Sequence, residues 1–202
     1  MTITNGLCTR EQAKSAMNIS DAAADELVDL AVGAASRSIE NYVGHRFFVD
    51  ATVTARQFNA DDTSSLSIPE GISTATGLIV QTDAAGDGTF ETTLTINTDF
   101  VLEPVNSLVL YPARPYTEIR LLTGSFPQPA NGQPGVKVTA KFGWPAIPDD
   151  VTLACILLSK DLVKAKDAPF GVAGTSDFGV LRIRQNATVI ALLQPYRPAF
   201  LA

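Results

Sequence analysis

The spacing of apolar residues changes twice along this chain, and that change constrains its fold more than any single motif. In the first fifty residues, apolar and small side chains recur at steps of three and four. From residue 51 to residue 142 the dominant step is two, and after Trp144 the longer step returns. A step near 3.6 lines up side chains on one face of a helix, and a step of two lines them up on one face of a strand. Eight of the twelve prolines fall between residues 51 and 145, and none precedes Pro69. The pattern predicts an α+β chain. Residues 1–50 and 143–202 supply a helical core, and residues 51–142 form an antiparallel β-module inserted between its halves.

The helical parts carry their own punctuation. Thr9 with Gln12 three positions on reads as a capping box ahead of Ala13, Ala16 and Met17. Ser20 is the expected N-cap of a second helix, with Asp21, Asp25 and Glu26 at its electropositive start. Leu27, Leu30, Ala31, Ala34, Ala35, Ser38 and Tyr42 then mark a stripe narrow enough for close approach of a neighbouring helix, and Gly44 is placed to end it. After Pro148, Asp149 and Asp150, the residues Val151, Ala154, Cys155, Leu158 and Leu162 form one stripe, and Leu153, Ile156 and Leu157 widen it. A helix apolar over more than one face needs more than one packing partner. Pro169 ends this helix. A Gly-containing loop, an extended segment 180–184 and a last helix capped by Asn186 follow, with Pro195 and Pro198 as its stop.

In the middle, Phe90, Thr92, Leu94 and Ile96 alternate with polar residues, as do Val136, Val138, Ala140 and Phe142. Weaker strand signals cover 53–58, 78–82, 100–102, 108–110 and 119–122. Turn residues such as Ala85-Gly86-Asp87-Gly88 separate them.

Few functional classes survive the composition. His45 is the only histidine, and the two cysteines lie far apart, so multi-histidine metal sites, zinc ribbons and a disulfide scaffold are not expected. No nucleophile elbow, dinucleotide fingerprint or phosphate loop occurs. No run reaches the ~18 apolar residues of a membrane span, and the first residues lack the basic and apolar regions of a secretory signal. An enzyme is not expected, and no cofactor or metal is implied.

Individual candidates have bland competitors. Asp83-x-Ala85-x-Asp87-Gly88 opens like a calcium loop, but Ala85 and Leu94 stand where ligands belong. Asp177-Phe178-Gly179 shares only letters with a kinase motif. His45 with Glu40 or Asp50 is the weakest idea, a hydrolytic centre, set against a junction pinned by Phe47 and Phe48. Lys137 and Lys141 share the wet face of a strand, either to touch phosphate or only to keep an edge soluble. Arg182 and Arg184 alternate on an extended segment, facing an acidic partner or solvent. A ligand-binding β-module for glycan or peptide would need a platform drawn from Phe58, Phe90, Phe100, Tyr111, Tyr116, Phe126 and Phe142. Tyr196, Phe200 and Leu201 lie among Pro195 and Pro198, where docking is the way to bury them, at ~1.5–3 kcal/mol for a full Phe or Leu. Docking on another protein is the expectation.

The net charge is −6 over 202 residues, which is not that of a protein coating nucleic acid. It is also unevenly spread. Residues 1–135 carry 7 Lys/Arg against 16 Asp/Glu, and residues 136–202 carry 8 against 5. Such polarity suits stacking with copies or an oppositely charged partner, with chance as the competing account.

The order of these parts resembles the head-to-tail connector (adaptor) proteins of tailed phages. Leu7-Cys8-Thr9-Arg10-Glu11-Gln12-Ala13 is similar to their short opening helix, and Ile39-Glu40-Asn41-Tyr42-Val43-Gly44-His45-Arg46-Phe47 to the end of their second. Gly143-Trp144-Pro145-Ala146-Ile147-Pro148-Asp149-Asp150-Val151 resembles the lead into their long helix. Lys166-Asp167-Ala168-Pro169, Gly171-Val172-Ala173-Gly174 and Ala191-Leu192-Leu193 with Pro195-Tyr196-Arg197 look like the actinobacteriophage version. The β-module matches in kind more than in residues. The resemblance implies a non-catalytic virion protein, assembled in the host cytoplasm and placed at the head–tail junction. It implies a homo-oligomeric ring, commonly of twelve copies, beneath the portal protein and above a tail-side connector or terminator protein. DNA would pass through its channel without sequence-specific binding, and no membrane is involved. It also implies that the C-terminal segment reaches the portal, which falls here on Tyr196, Arg197, Phe200 and Leu201.

Overall fold

The computed structural model describes residues 3–165 and 186–197. The fold is mixed α+β, with two antiparallel sheets in the middle of the chain between N- and C-terminal helices. It divides into a helical unit, Met1–His45 with Ile147–Ala202, and a strand unit, Arg46–Ala146.

In the helical unit, α1 (Arg10–Met17) starts with the expected capping box. Thr9 Oγ1 accepts from the Gln12 amide at 3.1 Å, and Gln12 Oε1 accepts from the Thr9 amide at 2.7 Å. The second helix, α2 (Asp25–Val43), begins later than its sequence suggests. Ser20 does not cap it. Asp21 instead accepts from the Ala24 amide at 3.3 Å, spending the polar pair on a turn before the helix, and Ala24 is an N-cap without a side-chain bond. The buried stripe is Val28, Ala31, Val32, Ala35, Ser36, Ile39 and Val43, with Leu30 and Ala34 turned to solvent. The expected stripe was therefore rotated by about one position. The branched residues Val28, Val32 and Ile39 define the centre of the face, with the small residues beside them. Gly44 ends α2 in the left-handed conformation, φ 82°.

The long helix α3 (Asp149–Ala165) packs on α1, α2 and α4 (Ala187–Leu193), but the residues that widen its stripe are only partly covered: Leu153 is 46% exposed, and Ile156 and Leu157 are half-buried. Between α2 and α3 the seam is built from small groups. Ser36 Oγ lies 3.5 Å from Cys155 Sγ, which is 4.0 Å from the Val32 carbonyl oxygen. Only short side chains let a sulfur approach another helix's backbone this closely. Asn186 caps α4 by accepting from the Val189 amide at 3.2 Å. The α-helix ends at Leu193, two residues before Pro195 as expected, and Pro195 then sits in the first turn of a 3-10 helix, Gln194–Tyr196, where a missing amide costs little.

The strand unit holds β1 (Thr54–Phe58), β2 (Ser65–Ile72), β3 (Ile79–Thr82), β4 (Thr92–Leu94), β5 (Phe100–Glu103), β6 (Tyr116–Leu121) and β7 (Val136–Ala140). One sheet runs β1-β7-β3-β4 and the other β2-β6-β5. Their inner faces share one core, including Leu66, Ile68, Val80, Ile119, Val138 and Phe142. Along β7, Val136, Val138 and Ala140 are buried while Lys137 and Thr139 are half-exposed.

Three strand expectations change. β2 is absent from the sequence reading because Pro69 interrupts it, yet Pro69 and Gly71 fall where the β2–β6 register shifts and no ladder bond is lost. The 108–110 segment is no strand, since Ser107–Val109 is a 3-10 turn. The alternation through 90–97 yields only the three residues of β4, a short edge strand exposed at Thr92 and Thr93.

The two ends of the strand unit are stitched together. Asp50 donates its amide to the Phe142 carbonyl at 2.8 Å, and Phe47 and Trp144 lie with ring centroids 5.0 Å apart. Gly143 makes the approach possible. It has φ 113°, and a Cβ on it would stand 2.1 Å from the Phe48 carbonyl oxygen. Gly143→Ala should therefore destabilise the protein by roughly 2–4 kcal/mol, through backbone strain and overpacking together. Gly33→Ala in α2, where a Cβ meets nothing within 4 Å, should stabilise it by about 0.5–1 kcal/mol. Urea unfolding midpoints of the two variants check both signs.

Candidate assembly surface

Polar clusters that suggest chemistry turn out to be neutralised or structural. His45 is half-buried, and both candidate carboxylates, Glu40 and Asp50, are engaged with arginines. Glu40 pairs with Arg37 at 3.2 Å. Asp50 joins a closed ring of alternating charge, touching Arg46 and Arg56 at 3.0 Å each, while Glu70 touches the same two arginines at 2.6 Å each. Thr54 Oγ1 also donates to Asp50 at 3.0 Å. The arginines are further held over rings, Arg46 at 4.8 Å from Phe48 and Arg56 at 4.1 Å from Phe142. Two positive and two negative groups cancel, and the ring fastens the 46–50 segment to β1 and β2.

Asp83 is likewise structural. Its buried carboxylate accepts from the Gly86 amide at 2.7 Å and the Gly88 amide at 2.8 Å, which shapes a polar loop. Among the described residues, no three His, Cys, Asp or Glu side chains are placed to hold a metal ion. Lys137 Nζ sits 4.6 Å from the Phe90 ring centroid, and Lys141 lies just past the end of β7, so the two lysines do not share one strand as expected. The aromatic residues counted toward a ligand platform are mostly consumed by packing. Phe100, Phe126 and Phe142 are buried, and Phe58 and Tyr116 pack against that core.

The loop between β5 and β6 has the opposite character. Val105, Val109, Leu110 and Tyr111 are 61%, 80%, 53% and 92% exposed, four large apolar side chains within seven residues. The loop beneath them is fixed. Ser107 is buried at its base, where its hydroxyl donates to the carbonyls of Arg114 at 2.9 Å and Pro115 at 3.1 Å. Its own carbonyl accepts from the Arg114 amide at 3.1 Å. A loop ordered by its own hydrogen bonds here turns apolar groups outward, which leaves a small apolar patch at the surface. Sequence reading missed it, because 108–110 read as strand and β-structure would have buried alternate members.

The C-terminal candidates divide. Tyr196 is 5% exposed and its hydroxyl donates to Asp150 at 3.3 Å, so this ring packs on its own helical unit. Arg197 lies with its guanidinium 5.0 Å from the Tyr42 ring centroid. Phe200, Leu201, Arg182 and Arg184 lie outside the described residues, as does the 180–184 segment. Among the described residues, no helix is long and apolar enough to cross a membrane.

Chains in three solved particle structures share this fold. One, in the neck of an empty gene transfer agent (GTA) particle computed with C6 symmetry, aligns at 18% identity and a TM-score of 0.56, over 98% of this chain and 93% of its own. Another, in the neck of a native GTA particle computed with C12 symmetry, aligns at 17% identity and 0.52 with the same coverage. A third, in the virion of a native gene transfer agent particle, aligns at 17% identity and 0.57, again over 98% and 93%. At these identities the likeness establishes a shared fold. No protein-family profile and no curated protein matches the chain.

Several aspartates hold their protons less tightly than ordinary ones, which sets the acid response. The Arg10 guanidinium bonded to Asp29 holds that carboxyl below its usual range. At Asp50, burial works the other way but is outweighed by Thr54, Arg46 and Arg56. Asp62, which accepts from the amides and hydroxyls of Ser64 and Ser65, is lowered to about 2. A carboxyl lowered on folding adds stability that is complete above its unfolded value of about 3.9, and loses it as pH falls through the folded value. The melting temperature should therefore hold from pH 7 to 5 and drop by on the order of 5–10 °C by pH 2.5. Asp62→Asn should flatten that drop, and calorimetry across the pH series measures both.

Proposed function

We propose that this chain is a structural subunit of a phage-like virion, a head–tail connector that forms a ring with copies of itself. In this reading residues 1–50 and 143–202 are the connector core and residues 51–142 an inserted module. The ring, commonly of twelve copies, sits beneath the portal protein and above a tail-side connector or terminator protein. It is assembled in the host cytoplasm, and DNA passes through its channel. The observation that carries the reading is the likeness, over nearly the whole length of both chains, to chains of GTA necks computed with C6 and C12 symmetry. The sequence resemblance to phage connectors points the same way from independent evidence.

Physical features support a contact role and no catalytic one. The β5–β6 loop offers Val109 and Tyr111 to a neighbour. A net charge of −6 suits a wall along which phosphate slides without sticking. Tyr196 and Arg197, held on the helical unit, fix where the following residues depart, and Phe200 and Leu201 are the groups we assign to the portal contact. Arg182 and Arg184 are assigned to an acidic partner or a neighbouring copy. A glycan- or peptide-binding module has no support from the aromatic residues, which are mostly in the core.

The test compares three proteins in particle complementation and in native mass spectrometry with the portal protein. Wild type should assemble rings and restore head–tail joining. Val109→Ser with Tyr111→Ser should keep the fold, with a melting temperature within about 2 °C, yet lose ring assembly or tail joining at least tenfold. Removal of residues 198–202 should keep the fold and abolish portal attachment. Full joining by both altered proteins would falsify the reading.

A further inference from the structure

Cys8 and Cys155 are 147 residues apart in sequence, but their sulfurs are 3.4 Å apart in the helical unit. Both are free thiols, and both are buried. A disulfide needs an S–S distance of about 2.0 Å, so the pair has to close by roughly 1.4 Å. The two sides differ in freedom. Cys155 is held in the middle of α3, whereas Cys8 lies in the non-helical stretch just before the Thr9 cap. That short stretch is the part able to move. We propose that Cys8 and Cys155 are an oxidation site, a latent cross-link that closes to an intrachain disulfide by exchange with a small-molecule disulfide.

Access and chemistry assign the two sulfurs different parts. Cys8 lines a surface hollow of about 430 Å³ with Thr9 and Arg10, so a small reagent reaches Cys8 first. Cys155 has no exposed surface. Around it, Ser36 already donates its proton to the Val32 carbonyl at 2.7 Å, and Ser159 donates to the Cys155 carbonyl at 2.7 Å. The Cys8 thiol donates to the Cys155 sulfur at 3.4 Å. This bond favours the thiolate at Cys155 over that at Cys8, whose thiol is pushed up by the same bond and by burial. In the first step the Cys155 thiolate draws the Cys8 proton through their bond while the Cys8 sulfur attacks the reagent R–S–S–R, and one R–S⁻ leaves. In the second, the Cys155 sulfur attacks the Cys8 sulfur of that mixed disulfide, and the second R–SH leaves with the Cys155 proton. Two protein thiols are oxidised, one small disulfide is reduced, and nothing else is consumed. The chemistry stands apart from the assembly reading. Only its timing, closing after a particle leaves a reducing cytoplasm, rests on it.

The full chain, purified under reductant, is transferred to millimolar oxidised glutathione. The expected product has lost the mass of two hydrogens, with tryptic peptide 1–10 joined to peptide 142–160. Its melting temperature should rise by about 5–15 °C over the reduced form, because the bond closes a very long loop. Cys155→Ala should stop at a single glutathione adduct on Cys8, and Cys8→Ser should acquire no cross-link. The proposal is overturned if the native protein keeps both thiols while the urea-unfolded chain oxidises. It is equally overturned if wild type stops at glutathione adducts, or if the cross-linked protein melts below the reduced one.

Discussion

An inserted unit has to leave and rejoin its host chain at two points, and the pinning together of residues 46–50 and 142–144 is what makes the strand unit workable. The amide of Asp50 on the Phe142 carbonyl, the Phe47–Trp144 ring pair and the bare α-carbon of Gly143 hold those ends side by side. The Arg46, Asp50, Arg56 and Glu70 ring then extends the same fastening into β1 and β2. Without it, closing the loop of about one hundred residues between the ends would fall on the sheets alone. Charge networks of this kind contribute little at an exposed surface, but here Arg46, Asp50 and Arg56 are half-buried, only Glu70 is exposed, and each is held by more than one partner.

The helical unit answers a different constraint. Ala31, Ala35, Ser36, Ala154, Cys155 and Ser159 keep α2 and α3 close, and the branched residues Val28, Val32, Ile39 and Leu158 fill the remaining volume. Such seams gain from dense packing at many small contacts. They also bring distant atoms together, as the two sulfurs illustrate.

Local chemistry was the most readable part of the sequence. The Thr9/Gln12 box, the Gly44 stop and the Asn186 cap each depend on a few adjacent residues, and each is formed as expected. Features that depend on distant neighbours were not readable. β2 is a strand because β6 lies beside it, in spite of Pro69. Ser20 looked like a cap until Asp21 took the nearby amide. The segment 108–110 read as a strand because nothing local says that Ser107 holds it in a 3-10 turn with its apolar side chains outward. Tyr196 read as a group in need of a partner, and Asp150, more than forty residues earlier, supplies one on the same unit.

Because Ser107 has already fixed the shape of the β5–β6 loop, a partner meeting it does not have to order it. Most of the entropy that a floppy segment loses on contact has been given up during folding, before any encounter takes place. Recognition by such a surface resembles the seating of a rigid key. In the proposed assembly, encounter rates would then depend mainly on orientation and charge, and the lifetime of the contact on the four apolar side chains.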